Sequence, residues 1–424
     1  RDNVPETGGA LLVANHTTYI DALFLGASID RPIRFIMSSE FAAQNRWVKP
    51  IAKAMRAIFI SPRGTPKELV QSLREATQAI QDGELVCIFA EGQVSRSGQV
   101  LAFKKGFERI MKGVDAPIIP VHLDRLWGSV FSFSEERVLW KRPKRVPYPV
   151  TVSYGAAMPG DATAWEVRTA IRELGTEAYM ERKLEHPLLH RGFIRNARRR
   201  PKFRALADAT TGEMSYFKAL IASIIFARKL QPLIGKQELV GVLLPPTVGS
   251  ALTNLALLMS GRVPVNLNYT ASADAIASAA RRCNITHTIT AHAFLEKLPL
   301  QVPGEAVYLE DVKKSVQKSD QIKALLAAIL FPAGLLERFC GSRRRLTQDD
   351  VATVIFSSGS EGEPKGVPLT HFNISSNVEA TVQVFPIEKN EAMMGFLPLF
   401  HSFGFTGTLW LPLLTGFTAV FHPT

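Results

Sequence analysis

One histidine in the sequence stands at a spacing from a carboxylate that suits acid–base chemistry. The apolar run 11–14 leads directly into segment 15–21, which reads N-H-T-T-Y-I-D, and residues 22–27 are predicted to be helical. Five positions on a helix span a rotation of about 140°, so a strand-to-helix turn, but not one helix face, brings His16 and Asp21 together. An imidazole oriented by a carboxylate is a general base for a substrate hydroxyl. The same spacing also fits a structural capping pair at a helix N-terminus.

Further polar blocks follow the ends of other predicted strands. Strand 58–60 runs into S-P-R-G, strand 85–89 runs into A-E-G-Q-V-S-R-S-G, and a third strand covers 118–123. Between the first two, residues 68–82 form an amphipathic helix that Gly83 ends. This alternation of strands and helices predicts an α/β fold with functional loops at the strand ends.

In this order and at these intervals, the four blocks resemble the glycerolipid acyltransferase (PlsC-like, lysophospholipid acyltransferase) family. That family has N-H-x4-D, G-x-x-F-I-x-R, F-P-E-G-x-x-S and a V-P-V-type strand. The first block is intact, whereas Arg56 stands where glycine is usual, and Ala90 replaces the proline of the third block. The resemblance implies that His16 removes the proton from a glycerol hydroxyl as it attacks a thioester carbonyl, while Asp21 holds the imidazole. It also implies an acceptor and phosphate site formed by Asn15, Arg63, Glu91, Gly92, Ser95 and Arg96.

A second chemical site is predicted around residue 360. An apolar strand, 351–356, leads into segment 356–371, which reads F-S-S-G-S-E-G-E-P-K-G-V-P-L-T-H, and a helix is expected near Ser375. Three glycines and several hydroxyls supply many hydrogen-bond donors, and Lys365 adds a positive charge, so the segment suits a phosphate chain. It is not a Walker A loop, because Pro364 stands where the second glycine precedes the lysine. A surface turn is the alternative.

The order of these residues resembles the phosphate-binding loop of the adenylate-forming (acyl-activating, AMP-binding) enzymes, T-S-G-T-T-G-x-P-K-G-V. The S-G-S-E-G variant is similar to the bacterial acyl-ACP synthetase branch. The resemblance implies ATP and Mg²⁺ as cofactors, and a loop that binds the β- and γ-phosphates while a carboxylate attacks the α-phosphorus. The implied loop residues are Ser357, Ser358, Gly359, Ser360, Glu361, Gly362, Pro364, Lys365 and Gly366.

A histidine follows this loop by about thirty residues. Segment 397–405, L-P-L-F-H-S-F-G-F, resembles the P-L-F-H-x-x-G segment of acyl activators. The resemblance implies that His401, Phe403 and Gly404 border the fatty-acid tunnel. Taken alone, a histidine in an apolar run is more often a core residue.

Composition indicates a globular protein with an anionic partner. The chain has 424 residues, a net charge of +12 and three widely separated cysteines that match no metal spacing, so no protein metal site is predicted. Basic residues cluster at 141–145, 191–204 and 338–345 without an aromatic-interleaved nucleic-acid module, which favours a membrane surface over nucleic acid. Each cluster also fits a solvated face. Segment 324–336 is too short to span a bilayer, and both an interfacial helix and a buried core helix fit it.

The predicted organisation is a PlsC-like α/β acyltransferase domain (1–185), a basic linker (186–205) and the N-terminal part of an adenylate-forming large domain (206–424). The adenylate-forming family's adenine-binding strand, its Tyr-Gly-x-Thr-Glu block and its small C-terminal domain with the adenylation lysine do not occur in this sequence. We therefore expect a fragment that does not adenylate fatty acid at a useful rate by itself.

The fused order resembles bacterial bifunctional enzymes that join a 2-acylglycerophosphoethanolamine acyltransferase to an acyl-ACP synthetase. The resemblance implies activation of a fatty acid with ATP, loading onto the phosphopantetheine thiol of acyl carrier protein, and acyl transfer from acyl-ACP or acyl-CoA to a lysophospholipid. It implies a site at the cytoplasmic face of the bacterial inner membrane, peripheral or interfacially anchored. The alternatives are a 1-acylglycerol-3-phosphate acyltransferase fused to a long-chain acyl-CoA ligase, and a non-catalytic membrane scaffold. Sequence upstream of Arg1 that belongs to a lysophospholipid transporter, as in some relatives, is a further alternative.

Overall fold

The computed structural model divides into two compact units, Arg1–Arg182 and Lys183–Thr424. It describes residues 1–44, 48–61, 64–133, 147–357, 364–385, 387–388 and 390–422. Each unit has its own hydrophobic core.

The described part of the first unit is built around one six-stranded sheet in the order β3-β2-β4-β1-β5-β6. All neighbours pair in parallel except β5 and β6, which are antiparallel. Since parallel strands end at the same edge of a sheet, the segments that follow β1, β3 and β4 meet at one edge. The strands are β1 (Ala10–Ala14), β2 (Ile33–Ser38), β3 (Ile58–Ile60), β4 (Leu85–Phe89), β5 (Ile118–Asp124) and β6 (Thr151–Tyr154).

Helices cover this sheet, and the longer ones carry clear start signals. The helix predicted at 68–82 begins at Pro66, because Thr65 and Glu68 form a reciprocal capping box. Its buried residues, including Leu73 and Ile80, belong to the core on one face of the sheet. The helices are α1 (Asp21–Ser28), α2 (Ser39–Gln44), α3 (Val48–Ala54), α4 (Pro66–Gln81), α5 (Gly106–Met111) and α6 (Ala164–Glu181), and a 3₁₀ helix covers Arg182–Glu185.

In the second unit, the described strands form two four-stranded sheets and a hairpin. The first sheet has the order β10-β9-β11-β12 and is parallel, and the second has the order β15-β16-β7-β8 with only β7 and β8 antiparallel. The hairpin is β13-β14. The strands are β7 (Arg204–Asp208), β8 (Gly212–Ser215), β9 (Leu239–Val242), β10 (Val263–Asn266), β11 (His287–Thr290), β12 (Glu305–Tyr308), β13 (Val351–Ser357), β14 (Lys365–Thr370), β15 (Ala392–Gly395) and β16 (Thr418–Phe421).

The helices of the second unit surround these sheets. They are α7 (Leu189–Arg199), α8 (Tyr216–Ile234), α9 (Val248–Met259), α10 (Ala273–Arg282), α11 (His292–Lys297), α12 (Leu309–Lys314), α13 (Lys318–Leu330), α14 (Ala333–Phe339), α15 (His371–Val384) and α16 (Leu411–Thr415), with a π-helix at Gly404–Trp410. The helix expected near Ser375 begins at His371, because the Thr370 side chain caps it by accepting the N–H of Asn373. Along the described chain, no helix combines the length and the apolar character that crossing a membrane requires.

The stretch 186–205, predicted as a linker, differs from that expectation. It contains α7, whose Phe193, Ile194 and Ala197 are buried in the core of the second unit. Of the basic residues that suggested a linker, Arg195, Arg198 and Arg199 lie on the exposed face of this amphipathic helix. Arg191 is half-buried and pairs with Glu337 at 2.5 Å. The division between the two units falls at Arg182, and the stretch is part of the second unit.

Candidate functional site

The ends of β1 and β4 bring His16 and Glu91 together. The two strands pair in register with Ala14 opposite Phe89, so the residues two positions further on also become neighbours. The backbone N–H of His16 donates to Glu91 Oε1 at 2.9 Å. The His16 ring stacks on the Phe89 ring with 4.2 Å between centroids. The backbone and the ring of His16 are therefore both held at the carboxyl edge of the sheet.

The predicted pair of His16 and Asp21 is brought together by a strand-to-helix turn. His16 Nδ1 lies 2.9 Å from Asp21 Oδ2, and Asp21 is the first residue of α1 and fully buried. The carboxylate also accepts the backbone N–H groups of Thr17 at 2.7 Å and Thr18 at 3.0 Å, and the Thr18 hydroxyl. Because Asp21 accepts all of these bonds, the network assigns the imidazole proton to Nδ1 and leaves Nε2 as the basic nitrogen.

Glu91 is buried and uses both carboxylate oxygens within the protein. One oxygen accepts the His16 N–H, and the other accepts the N–H of Leu101 at 3.0 Å. Burial raises the pKa of Glu91, although these two hydrogen bonds oppose the rise. In the structure Glu91 therefore holds the His16 backbone, and its predicted contact with an acceptor stays a prediction.

Asn15 and Ser95, also predicted to contact the acceptor, are both buried and also form hydrogen bonds within the protein. The Asn15 amide donates to the carbonyl of Leu123 at 3.1 Å and accepts its N–H at 2.7 Å, which ties the end of β1 to β5. The Ser95 N–H donates to the His16 carbonyl at 2.8 Å, and its hydroxyl donates to the carbonyl of Gln99 at 2.8 Å. Both residues hold the histidine loop in place and have little surface left for a ligand.

Gly92 and Arg96 do line a cavity beside His16. Gly92 has φ of +68°, and a Cβ at this position would lie 2.6 Å from Lys104 Nζ, so only glycine fits without displacing that lysine. The Arg96 guanidinium lies 5.5 Å from the centroid of the Phe133 ring, which also lines the cavity. Arg63, the remaining predicted contact, lies outside the described residues.

The cavity has a volume of about 700 Å³ and is lined by two chemically different sets of side chains. One set is apolar and comes from β2, β4, α2 and α4, among them Phe35, Phe41, Leu73 and Phe89. The other set is cationic and consists of Arg96, Lys104, Lys105 and Arg109. No carboxylate among the described residues forms a salt bridge with any of these four cations. The cavity that His16 lines therefore offers both apolar surface and positive charge.

Sequence reasoning missed three of these cations. Lys104, Lys105 and Arg109 follow the third block, and the Lys104 N–H donates to the carbonyl of Ala90 at 2.9 Å, which returns the chain to that block. The basic spacing of 104, 105 and 109 was the available signal, since the first two precede α5, the third lies on α5, and all three line the cavity.

In the second unit, the predicted phosphate loop connects the two strands of the hairpin. Ser357 pairs with Lys365, and Phe356 pairs with Gly366. Lys365 is exposed, and it forms no salt bridge with a described carboxylate. Pro364 is described, whereas the loop residues Ser358, Gly359, Ser360, Glu361 and Gly362 lie outside the described residues.

An exposed lysine beside a serine at the base of this loop fits an anionic phosphate chain. For Mg²⁺, the described residues contain no group of three or more His, Cys, Asp or Glu side chains that could hold a metal ion. No described side chain is therefore assigned to Mg²⁺.

The predicted tunnel residues lie at the start of the π-helix. His401 is exposed, and its ring lies 4.9 Å from the ring of Phe400, so the alternative of a core histidine is wrong. Phe403 is 69% exposed. Gly404 is buried, and a Cβ there would lie 2.2 Å from the carbonyl oxygen of Pro398, which excludes any larger residue without a backbone shift. The role of these residues at a fatty-acid tunnel stays a prediction.

Two family models match the chain. Residues 193–424, more than half of the 424 residues, match the model described as AMP-binding enzyme, and residues 1–124 match the model described as Acyltransferase. The predicted fusion of an acyltransferase domain with an AMP-binding domain in an α/β chain is confirmed.

Curated relatives match one domain or the other. A 4-coumarate–CoA ligase-like 4 from Oryza sativa subsp. japonica is 29% identical over 207 residues, which cover 47% of this chain and 37% of the relative. A probable 1-acyl-sn-glycerol-3-phosphate acyltransferase from Mycoplasma pneumoniae is 31% identical over 125 residues, 28% of this chain and 46% of the relative. A medium-chain-fatty-acid–[acyl-carrier-protein] ligase from Teredinibacter turnerae is 36% identical over 73 residues, 17% of this chain and 11% of the relative.

The chain spans less than half the length of each of these relatives. The two domains support acyl activation and acyl transfer as general reactions, and the AMP-binding family implies the use of ATP and Mg²⁺. This chain belongs to the AMP-binding enzyme family and carries an acyltransferase domain in its N-terminal part.

Proposed function

We propose that the first unit transfers an acyl group from a thioester to the free hydroxyl of a lysophospholipid, such as 2-acylglycerophosphoethanolamine, with His16 as the general base. The observation that carries this proposal is the pair of His16 and Asp21 at a cavity lined by both apolar and cationic side chains. An acyl chain suits the apolar side chains, and the phosphate of a glycerophospholipid suits the cations. The reacting hydroxyl of such a substrate lies between its acyl chain and its phosphate, and His16 lines the same cavity.

The chemistry follows from the hydrogen bonds around His16. His16 Nε2 accepts the proton of the glycerol hydroxyl as its oxygen attacks the thioester carbonyl, and Asp21 stabilises the imidazolium that forms. The C–S bond then breaks, and the proton passes from His16 to the departing thiolate. The protein forms no covalent bond to the acyl group in this scheme, so it needs no serine or cysteine nucleophile.

The four cations bind the acceptor through its phosphate. Arg96, Lys104, Lys105 and Arg109 offer charge-assisted hydrogen bonds to phosphate oxygens, and no described carboxylate competes for them. Since the phosphate does not react, these contacts position the hydroxyl against His16.

We further propose that the second unit supplies the activated acyl group. ATP, when bound, supplies the adenylyl group that activates a fatty-acid carboxylate, and Ser357 and Lys365 at the neck of the hairpin would hold its phosphates. The similarity to a carrier-protein ligase supports acyl carrier protein as the thiol partner, with CoA as the other candidate donor. The proposed location is the cytoplasmic face of a bacterial inner membrane, because the acceptor is a membrane lipid.

The test is transfer of a labelled acyl group from acyl-ACP and from acyl-CoA to a panel of lysophospholipids in mixed micelles. We expect transfer by the wild-type chain and a loss of about 10²–10⁴-fold in the His16→Ala variant. His422→Ala is the matched control, because it removes an exposed imidazole from the other unit and should leave transfer unchanged. Equal transfer by wild type and His16→Ala contradicts the assignment of the base.

Lysophosphatidate is the second candidate acceptor. Four cations exceed what one phosphodiester needs, and the Mycoplasma relative is named as a 1-acyl-sn-glycerol-3-phosphate acyltransferase. A phosphate monoester carries up to two charges near neutral pH and would engage more of these cations. A kcat/KM for lysophosphatidate well above that for lysophosphatidylethanolamine would favour this candidate.

A further inference from the structure

Helix α13 in the second unit has its large apolar side chains on the solvent side. Ile322, Leu325, Leu326, Ile329 and Leu330 lie at the i, i+3, i+4, i+7 and i+8 positions of one stripe. All five are exposed, from 39% for Leu325 to 66% for Leu330. This stripe, which we call the α13 stripe, consists only of isoleucine and leucine.

The opposite face of the same helix carries small residues. Ala324, Ala327 and Ala328 are buried in the core of the second unit, and they allow α13 to pack against α8. A helix that serves only a protein core has the reverse arrangement, with leucine and isoleucine inside. A contiguous exposed aliphatic stripe of this kind indicates a surface with a partner.

Cations border the α13 stripe at its side and at its C-terminal end. Lys323 is exposed on α13 itself. Arg198 of α7 donates to the carbonyl of Ala328 at 3.0 Å and to that of Phe331, so α7 is attached to the end of α13. Arg195 and Arg199, one turn apart from each other on α7, are both exposed. These residues belong to the basic stretch that resembled a linker in the sequence.

The acidic residue of α13 does not oppose this positive charge. Asp320 pairs with Lys229 at 2.8 Å. Within the described part of the chain, no carboxylate forms a salt bridge with Lys323, Arg195 or Arg199. The charge of this face is thus complementary to an anionic surface.

We propose that the α13 stripe inserts into the interfacial region of an anionic phospholipid membrane while Lys323, Arg195 and Arg199 contact its headgroups. The observations favour lipid over a protein partner, because the stripe lacks the aromatic residues and methionines that mark the centres of protein interfaces. Amphipathic helices that lie in a bilayer surface combine an aliphatic face with flanking Lys and Arg in this way. The inference rests on the proposed function for one point only, that the chain acts on a membrane lipid.

The test is co-sedimentation of the full chain with vesicles of phosphatidylcholine alone and of phosphatidylcholine with about one-third phosphatidylglycerol. We expect binding to the anionic vesicles, and a decrease of the partition coefficient of at least about tenfold in the double variant Ile329→Gln/Leu330→Gln. The double variant Arg195→Gln/Arg199→Gln should lose about fivefold for each cation removed. Val384→Gln, which replaces another exposed aliphatic residue of the second unit, is the matched control and should bind as wild type does.

Three results would overturn the inference. The first is unchanged vesicle binding by Ile329→Gln/Leu330→Gln, and the second is no binding of the wild type to either vesicle. The third is that the wild type does not bind vesicles but is a dimer in sedimentation velocity, whereas this variant is a monomer. Failure of the proposed function is distinguishable, because it appears as absence of acyl transfer in detergent micelles, where the α13 stripe is not needed. Normal micellar transfer by Ile329→Gln/Leu330→Gln, together with its loss of vesicle binding, supports both proposals.

Discussion

The hydrogen bonds of Asp21 predict that a change of one atom slows acyl transfer. His16 Nδ1 and the N–H groups of Thr17 and Thr18 lie 2.9, 2.7 and 3.0 Å from the same oxygen, Asp21 Oδ2. In Asp21→Asn the amide oxygen takes this position, because it must accept these bonds, and the NH₂ group faces the Thr18 hydroxyl, which can accept. The imidazolium formed during transfer then has a neutral partner in place of a carboxylate. A charge-assisted hydrogen bond is worth about 1.5–3 kcal/mol, so kcat should fall by about 10–100-fold.

The assay is a double-mutant cycle on acyl transfer under saturating acceptor. His16→Ala and Asp21→Asn act on the same proton transfer, so the double variant should lose no more activity than His16→Ala alone. Asp115→Asn, an exposed aspartate that changes the net charge equally, is the control. Circular dichroism at the assay temperature checks that the variants are folded, since the buried Asp21 also accepts charge-assisted bonds worth about 1.5–3 kcal/mol each. Losses that multiply in the double variant, or a decrease of less than about tenfold in Asp21→Asn, would refute the reasoning.

Three further predictions test other parts of the chain. Lys104→Gln should raise the KM for phosphate-bearing acceptors about tenfold and leave the KM for the acyl donor unchanged, as measured by steady-state kinetics. Gly404→Ala should destabilise the second unit by about 1–3 kcal/mol, because its Cβ would lie 2.2 Å from a carbonyl oxygen, while Gly334→Ala, which meets nothing within 4 Å, should not lower the Tm. Burial lowers the pKa of His371 from 6.5 to about 3, so the unfolded chain binds the proton and the folded chain does not. The stability from His371 is therefore complete above pH 6.5 and declines by about 2 kcal/mol toward pH 5, which urea titrations should show and His371→Gln should remove.

The local geometry of the acyltransferase site could be read from the sequence, since a strand, a short turn and a helix N-terminus are all encoded within residues 10–28. The roles of Asn15, Glu91 and Ser95 could not. Asn15 bonds to Leu123, 108 positions away, and this contact depends on β1 lying between β4 and β5. Strand order is a property of the whole sheet, and motif spacing does not contain it.

The many arginines of α7 led to the wrong prediction of a linker, and the apolar composition of α13 left open whether it is an interfacial helix or a core helix. Arginines dominate the composition of α7, but Phe193, Ile194 and Ala197 are spaced so that they share one helix face, and this face is buried in the core. In α13 both faces are apolar, so periodicity alone could not say which one is buried. The side-chain volume decides it, because only alanines allow the close approach to α8.

Glu91 provides the sharpest test of whether the backbone of His16 matters as much as its ring. A glutamine at this position has only one acceptor oxygen, so either the His16 N–H or the Leu101 N–H would face an NH₂ group. Losing one bond to a buried carboxylate costs about 1.5–3 kcal/mol, and displacing the His16 backbone misplaces Nε2 without touching the binding residues.

We therefore expect Glu91→Gln to lower kcat by about 10–100-fold, with KM for both substrates unchanged. A residue that acts only through stability would lower the Tm and leave the kcat of the folded fraction as it is. Measuring kcat, KM and Tm on the same preparation separates the two roles. If the KM for the acceptor rises while kcat is unchanged, Glu91 contacts the acceptor, as its sequence motif implies.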